Sequence, residues 1–408
     1  MTTTVPSNIL LARQPIYDRQ LNLVAYELLF RPPHPSDWVW DGDVATSQLV
    51  INAFAEIGID QVCDGKTAFI NFTHKWVVNP PPFDAQHVTV EILEDVEPGP
   101  EVVKAVKALR AAGFTIALDD FEFAPKWVPL LRLAHIVKVD VLHKTPEQVA
   151  ALVNKIAPFQ LRLLAEKVED YAMLEACKEL GFELFQGFFL AKPQNLHGTP
   201  LPTNRIVVMR LLAELQDPEV SVNNLEDIIS NDIALSTKLL RICNTARYTT
   251  QSKIDSIRRA VVLLGLQTLR QWSSLIALSR MSDKPSELIC LTLARAKMME
   301  LLAGASGRSD TDVYFTVGMF SFIDAFFDQP KEALLKSLPF EEHINQALLQ
   351  FEGETGTLLR YVIAHERGEW EQIDWQDLAA RQIDESLFEQ TYRESLIWAT
   401  GIMQSLLD

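Results

Sequence analysis

Along the first half of the chain, short runs that are apolar on both faces alternate with amphipathic stretches; along the second half, apolar positions recur only at helical spacing. From about residue 10 to 193 the continuous runs are Ala68–Phe72, Val88–Leu93, Thr115–Asp120, His135–Asp140, Leu161–Val168 and Leu184–Leu190. Their wealth of Val, Ile, Phe and Leu is what strands buried in a parallel sheet require. Between them lie helical patterns. Val102, Val103, Val106 and Leu109 make one apolar face, and Gly113 stands where a C-terminal cap belongs. Repeated strand–helix units predict an α/β fold, most simply a TIM-like barrel.

From about residue 203 the strand signal ends. Leu235, Leu239, Leu240 and Cys243 follow helical spacing, as do the stretches Ser256–Met281, Glu287–Leu302 and Leu387–Leu407. Pro285, Pro330 and Pro339 punctuate them near helix starts. This half is expected to be all-helical. The stretch Lys192–Asn204 is dense in Pro, Gly, Asn and Thr, as linkers are. The expected organisation is a barrel domain over 1–193, a linker over 194–204 and a helical domain over 205–408.

Composition narrows the chemistry. The chain has 408 residues, enough for two or three domains with their own cores. It carries 37 Lys+Arg against 54 Asp+Glu, a formal charge of −17. That excess argues against a protein that coats nucleic acid through its overall field. The four cysteines, Cys63, Cys177, Cys243 and Cys290, are too scattered for a disulfide framework or zinc knuckle and fit a reducing compartment. Neither a signal-peptide pattern nor an apolar stretch of membrane-spanning length is present, so a cytoplasmic protein without membrane contact is expected.

Candidate chemistry lies where the polar residues fall. Asn71, Glu91, Asp119, Asp120, Lys138, Glu166 and Gln186 each sit at or near the C-terminal end of an otherwise apolar strand. They are spaced about one compact β/α unit apart, and in such barrels the C-terminal strand ends surround the active site. A lone acid at a strand end is more often a helix cap or a surface residue. Seven polar groups at one end of successive strands fit that bland reading poorly. Glu27, Asn71, Glu91 and Asp119, with Asp120 adjacent, form an oxygen-donor set without cysteine or histidine, which selects Mg²⁺ or Mn²⁺ over Zn²⁺. Carboxylate-held divalent ions beside a lysine suit phosphate chemistry, with Lys138 placed to orient water or stabilise developing charge.

In order along the chain, the motifs QPIYD (Gln14–Asp18), YELLFR (Tyr26–Arg31), FINFT, VEILE (Val90–Glu94), LDDF (Leu118–Phe121), KVD (Lys138–Asp140), AEKVE (Ala165–Glu169) and FQGFFLAKP (Phe185–Pro193) resemble the EAL domain family. That family comprises the cyclic di-GMP phosphodiesterases and their degenerate relatives. The resemblance implies Glu27, Asn71, Glu91 and Asp119 as metal ligands, with Asp120 serving a second metal and the attacking water. It further implies Lys138 as the water-orienting lysine, and Glu166 and Gln186 as completing the metal and water shell. Gln14, Leu28 and Arg31 resemble positions that hold the dinucleotide, Arg31 by its planar donor fork. Glu94 resembles the glutamate that secures the loop after the paired aspartates. An unrelated Mg²⁺-dependent barrel fits the strand spacing but not the eight motifs.

That loop departs from the family pattern. Active members read D-D-F-G-T-G-Y there, whereas this chain reads DDFEFAP, with Glu122 and Ala124 in place of glycines and an added Pro125. The glycine of A-E-G-V-E is replaced by Lys167. Because glycine permits conformations that Glu and Ala resist, the loop is expected to follow another path. Two readings stand: a barrel hydrolysing cyclic di-GMP to linear pGpG, or an inactive receptor or protein-interaction scaffold. Family barrels commonly dimerise beside this loop, so a homodimer, a monomer and a different dimer all stay open.

The second half resembles an HDOD domain, a relative of HD phosphohydrolases lacking their metal ligands. Ser230–Tyr248 and Ser256–Trp272 carry the likeness, and Ser321 and Phe322 stand within GMFSFID where a His-Asp dyad would sit. The resemblance implies a binding role toward a protein partner.

Overall fold

In the computed structural model, residues 10–31, 62–192, 203–217, 219–244, 254, 256–279, 281 and 284–407 are described. The chain divides into two compact units, residues 1–190 with 365–369, and residues 191–364 with 370–408. Most of the linker expected over 194–204 lies outside the described residues; a helix, Thr203–Gln216, begins within its last two positions.

The first unit is built on eight strands: β1 Leu10–Tyr17, β2 Leu23–Arg31, β3 Thr67–Phe72, β4 Val88–Ile92, β5 Thr115–Leu118, β6 Ile136–Asp140, β7 Arg162–Glu166 and β8 Leu184–Gln186. They close in sequence order into a barrel. The barrel is mixed, since β1 runs antiparallel to both of its neighbours, β2 and β8, while the remaining pairs are parallel. The hydrophobic pattern alone predicts six parallel strands and passes over these first two. β1 carries Arg13, Gln14 and Pro15, so it lacks a continuous apolar run. Its antiparallel pairing follows from the turn behind it. Asp18 accepts backbone hydrogen bonds from Gln20 and Asn22, both at 2.9 Å, and Leu21 takes φ 64°. So short a connection leaves no room for the crossover that a parallel partner needs.

Several predicted strands also end early, the last two for clear local reasons. β7 stops where Lys167 enters the left-handed region at φ 56°. β8 stops at Gly187, whose φ is 148° and where any Cβ would lie 2.1 Å from the Val168 carbonyl oxygen. Only glycine fits so close an approach.

Side chains alternate strictly between the two faces of this barrel. Outward residues such as Ile70, Val90, Ile116, Val137, Leu163 and Phe185 join the core shared with the surrounding helices. Each fully buried aliphatic or aromatic side chain contributes about 1.5–3 kcal/mol. Among the helices over that core, Pro146–Ile156 starts with a capping box between Thr145 and Gln148, and Asp170 caps Tyr171–Glu179. Inward, Ile16, Ala25, Phe69, Ala117, Ile136, Leu164 and Leu184 form an apolar plug. The next inward position along each strand is polar, and that layer is the candidate site.

The second unit is helical throughout its described residues. The predicted stretch Ser256–Met281 is two helices, Ile257–Leu264 and Leu266–Leu278, broken at Gly265 with φ 84°. Pro285 and Pro330 occupy N-cap positions, as their sequence context suggests. The helices Ser286–Ala305 and Glu385–Leu407 supply much of the core, including Leu293, Met299, Phe388 and Trp398. Among the described residues no helix is long and apolar enough to cross a membrane.

Candidate functional site at the barrel mouth

One polar side chain from each strand lies two residues beyond the apolar plug. These are Gln14 on β1, Glu27 on β2, Asn71 on β3, Glu91 on β4, Asp119 just after β5, Lys138 on β6, Glu166 on β7 and Gln186 on β8. The strict period of two turns one position per strand toward the same point.

At that point lies the Lys138 ammonium, fully buried. Its Nζ is 2.6 Å from Glu91 Oε1, 2.7 Å from Asp119 Oδ1, 2.8 Å from Glu166 Oε1 and 3.2 Å from Glu27 Oε2. Gln186 Nε2 donates to Glu27 Oε2 at 2.6 Å and to Gln14 Oε1 at 2.9 Å, and Asn71 Nδ2 donates to Glu27 Oε1 at 3.2 Å. Glu27, Asn71, Glu91 and Asp119 therefore converge as their sequence positions suggest.

Four carboxylates face one ammonium. At an effective dielectric near 20, like charges 4 Å apart repel by about 4 kcal/mol, so a single lysine cannot hold all four ionised. The titration of the ring reflects this imbalance. Burial pushes Glu27 up, but the Lys138 charge and the hydrogen bonds from Gln186, Lys138 and Asn71 prevail and hold it below the usual carboxylate range. Burial and the Glu27 charge drive Glu91 well above it. Burial raises Asp119 despite Lys138, and burial pushes Glu166 up to about 8. Burial acts against the Lys138 ammonium, yet the surrounding acids hold its pKa well above the ordinary lysine value.

Several acceptors are also left over. Asn71 Oδ1, Glu91 Oε2, Glu166 Oε2 and Gln186 Oε1 are buried with no hydrogen-bond partner among the described residues. Buried orphan acceptors are costly, and hard oxygen lone pairs in excess of protons are what Mg²⁺ or Mn²⁺ takes up. Among the described residues no three acidic, cysteine or histidine side chains stand open as a ready metal cage. The ammonium fills the centre instead. In chemistry and charge the donor set nevertheless fits a hard divalent cation.

The other predicted site residues fall elsewhere. Leu28 is fully buried and points outward into the core beneath the helices. Arg31 ends β2, and its side chain lies outside the described residues. Glu94 is exposed beyond β4 and is not brought to the ring. The ion pair that ties this region to the loop after the aspartates is made by Glu97 with Lys126, at 2.8 Å. Asp120 follows the ring with φ 39°, outside the central contact.

Two residues given no role from sequence, Lys167 and Asp140, form an ion pair whose lysine also reaches toward Asp120. Lys167 Nζ lies 2.6 Å from Asp140 Oδ2 and 3.9 Å from Asp120 Oδ2. Asp140 was legible in principle, because two positions beyond Lys138 on a strand returns to the inner face.

The loop from Phe121 to Trp127 is held by aromatic packing. Phe121 N donates to the Lys138 carbonyl at 3.0 Å, and the Phe121 ring meets Trp127 edge-on with centroids 6.1 Å apart. Neither Glu122 nor Ala124 needs a positive φ; Ala124 is extended at φ −135°.

In the helical unit, the position expected for a dyad holds Ser321 and Phe322 between the helices Thr311–Phe320 and Ile323–Phe327. Arg295 Nη1 donates to Ser321 Oγ at 2.9 Å, and its guanidinium stacks 3.7 Å from the Phe322 ring centre. Lys331 Nζ donates to the Ser321 carbonyl at 2.6 Å and lies 3.6 Å from Asp324 Oδ1. Donors, rather than metal ligands, crowd this position.

Comparison with known proteins agrees with both halves. The EAL domain family matches residues 40–193 and the HDOD domain family residues 201–327. YuxH of Bacillus subtilis (strain 168) is 32% identical over 409 residues, covering 97% of this chain and 99% of its own length. The cyclic di-GMP phosphodiesterase CdgJ of Vibrio cholerae is 34% identical over 371 residues, covering 89% of this chain and 86% of its own length. The chain thus belongs to the EAL-domain family, with an HDOD domain following the barrel. Among solved structures, the PaMucR phosphodiesterase in complex with c-di-GMP matches 49% of this chain and 99% of its own, at 21% identity and a TM-score of 0.35. A manganese/cy-diGMP complex of Klebsiella pneumoniae BlrP1 matches 45% of this chain and 56% of its own, at 20% identity and a TM-score of 0.36.

Proposed function

We propose that the barrel binds cyclic di-GMP and, with Mg²⁺ or Mn²⁺, hydrolyses it to linear pGpG, and that the helical half passes the state of the barrel to a protein partner. The observation that carries this reading is the polar ring itself, with one side chain from each strand, more carboxylates than its lysine can balance, and buried oxygens left without a partner among the described residues. The relative CdgJ, named a cyclic di-GMP phosphodiesterase, supplies the substrate class, and the hard oxygen donors of the ring suit the metal.

Glu27, Asn71, Glu91 and Asp119 would hold the ion, with Asp120 and Glu166 beside it. Once bound, such an ion lowers the pKa of water and neutralises charge on the phosphoryl oxygens. In hydrolysis water adds to one phosphorus, the bond from that phosphorus to the 3′ oxygen breaks, and a proton ends on that oxygen. Lys138 is placed to orient the water and to meet the developing negative charge. Glu166, pushed up to about 8, can hold or release a proton near neutral pH. Gln186 and Gln14 fix the Glu27 carboxylate through the amide chain described above.

The test is to incubate the full chain with cyclic di-GMP and Mn²⁺ and separate the products. Linear pGpG is expected. Binding by calorimetry without turnover would replace hydrolysis with a receptor role, and absence of binding by a folded protein would leave a scaffold.

A further inference from the structure

Lys167 stands where the family pattern has glycine, and the backbone shows why glycine is at home there, since φ is 56°. A lysine in that conformation needs some compensation. Its side chain turns toward the barrel mouth, with Nζ 2.6 Å from Asp140 Oδ2 and 3.9 Å from Asp120 Oδ2. Asp120 directly follows Asp119, and Asp140 lies two residues beyond Lys138 at the end of β6. Paired-metal sites place two divalent ions about 3.5–4 Å apart, and the second ion needs carboxylates beyond those holding the first. Here the carboxylate next to the ring already faces a fixed positive charge.

Resting on the metal-dependent reading above, we propose that Lys167 takes the electrostatic place of a second divalent cation. The mouth then holds one ion among Glu27, Asn71, Glu91 and Asp119, and an ammonium beside Asp120 and Asp140. Lys167 is a positioning residue in this account, because it acts through Asp120. Its half-exposed side chain keeps the interaction moderate, so it biases the ion count without sealing the site.

The test is equilibrium dialysis of the full chain against Mn²⁺ without nucleotide, with bound ion counted by electron paramagnetic resonance. The wild-type chain is expected to bind one Mn²⁺. Lys167→Gln, which removes the charge, and Lys167→Gly, which also relieves the backbone, are each expected to bind two, whereas Lys167→Arg keeps one. Two ions in the wild-type chain, or one in all four proteins, would overturn the role of Lys167 while leaving the metal-dependent reading intact. No bound ion in any of them would overturn that reading and this inference with it.

Discussion

The barrel mouth and the buried polar cluster of the helical unit solve opposite electrostatic problems. At the mouth, Glu27, Glu91, Asp119 and Glu166 surround the Lys138 ammonium and leave buried acceptors unpaired. In the helical unit Arg295 and Lys331 meet Asp324, Ser321 and a backbone carbonyl, and Arg205 and Lys284 grip Asp328 at 2.8 and 2.7 Å. One site has too little positive charge and the other brings its own. On the proposed reading, the region short of cations takes one from solution, whereas the region that carries them is finished on folding. This difference is what the proposed function builds on: the mouth keeps unpaired acceptors, and the helical cluster spends its charges on holding helices together.

The two sites part most clearly when each loses its lysine. Lys138→Met leaves buried carboxylates without their counter-charge and is expected to lower the stability of the metal-free protein by roughly 3–5 kcal/mol. Mn²⁺ should restore much of that loss. Lys331→Met in the helical unit should destabilise too, with no recovery on adding Mn²⁺. Thermal melts with and without the ion measure both, and equal rescue of the two variants would erase the distinction. Within the ring, Glu91→Gln and Asp119→Ala should each reduce turnover by about 10³-fold or more. Glu91→Gln is expected to leave the metal-free protein as stable or more so, because it removes a carboxylate driven far from its ordinary state. A variant that keeps wild-type turnover would remove its residue from the ligand set.

Much of this ring was legible from sequence because it needs two signals, an apolar strand and one polar residue at its end. Five strands from β3 to β7 supply both, and the end of β8 does so through Gln186. The first two strands were harder. Glu27 lies inside a mixed run, and its inward direction depends on an antiparallel hairpin fixed by the Asp18 turn. Strand parity also explains why Leu28, one residue beyond Glu27, faces the outer core instead of the mouth. Lys167 was visible as a lost glycine, but its reach to Asp140 is a matter of rotamer and backbone that no spacing rule contains.

The mouth is also set apart, by a smaller margin, in its response to pH. Glu166 is pushed from the ordinary glutamate value up to about 8, mainly by burial. Between those values the folded protein keeps a proton that the unfolded chain has released, so this group makes metal-free stability fall as pH rises across the window. The ion competes with that proton. The rise in melting temperature on adding Mn²⁺ is therefore expected to grow from pH 6 to pH 8. A gain independent of pH would mean that Glu166 does not feel the ion.

The smallest effect concerns the loop that lost its glycines. Its sequence suggests a rebuilt path, and restoring glycine would raise activity if that path were limiting. The structure agrees that the path differs and shows no strain for glycine to relieve, since Glu122 and Ala124 sit at negative φ. Phe121 is pinned to the Lys138 carbonyl, and the Phe121–Trp127 and Glu97–Lys126 contacts hold the remainder. Glycine at 122 and 124 therefore relieves nothing and adds freedom to the unfolded chain, at a cost of about 0.4–1 kcal/mol for each position. The double variant Glu122→Gly, Ala124→Gly is expected to melt slightly lower and to turn over cyclic di-GMP at an unchanged rate. A clear increase in rate would show that the rebuilt loop restrains a mouth otherwise complete. It would also move the limit on activity from the charge of the ring to the path of the chain beside it.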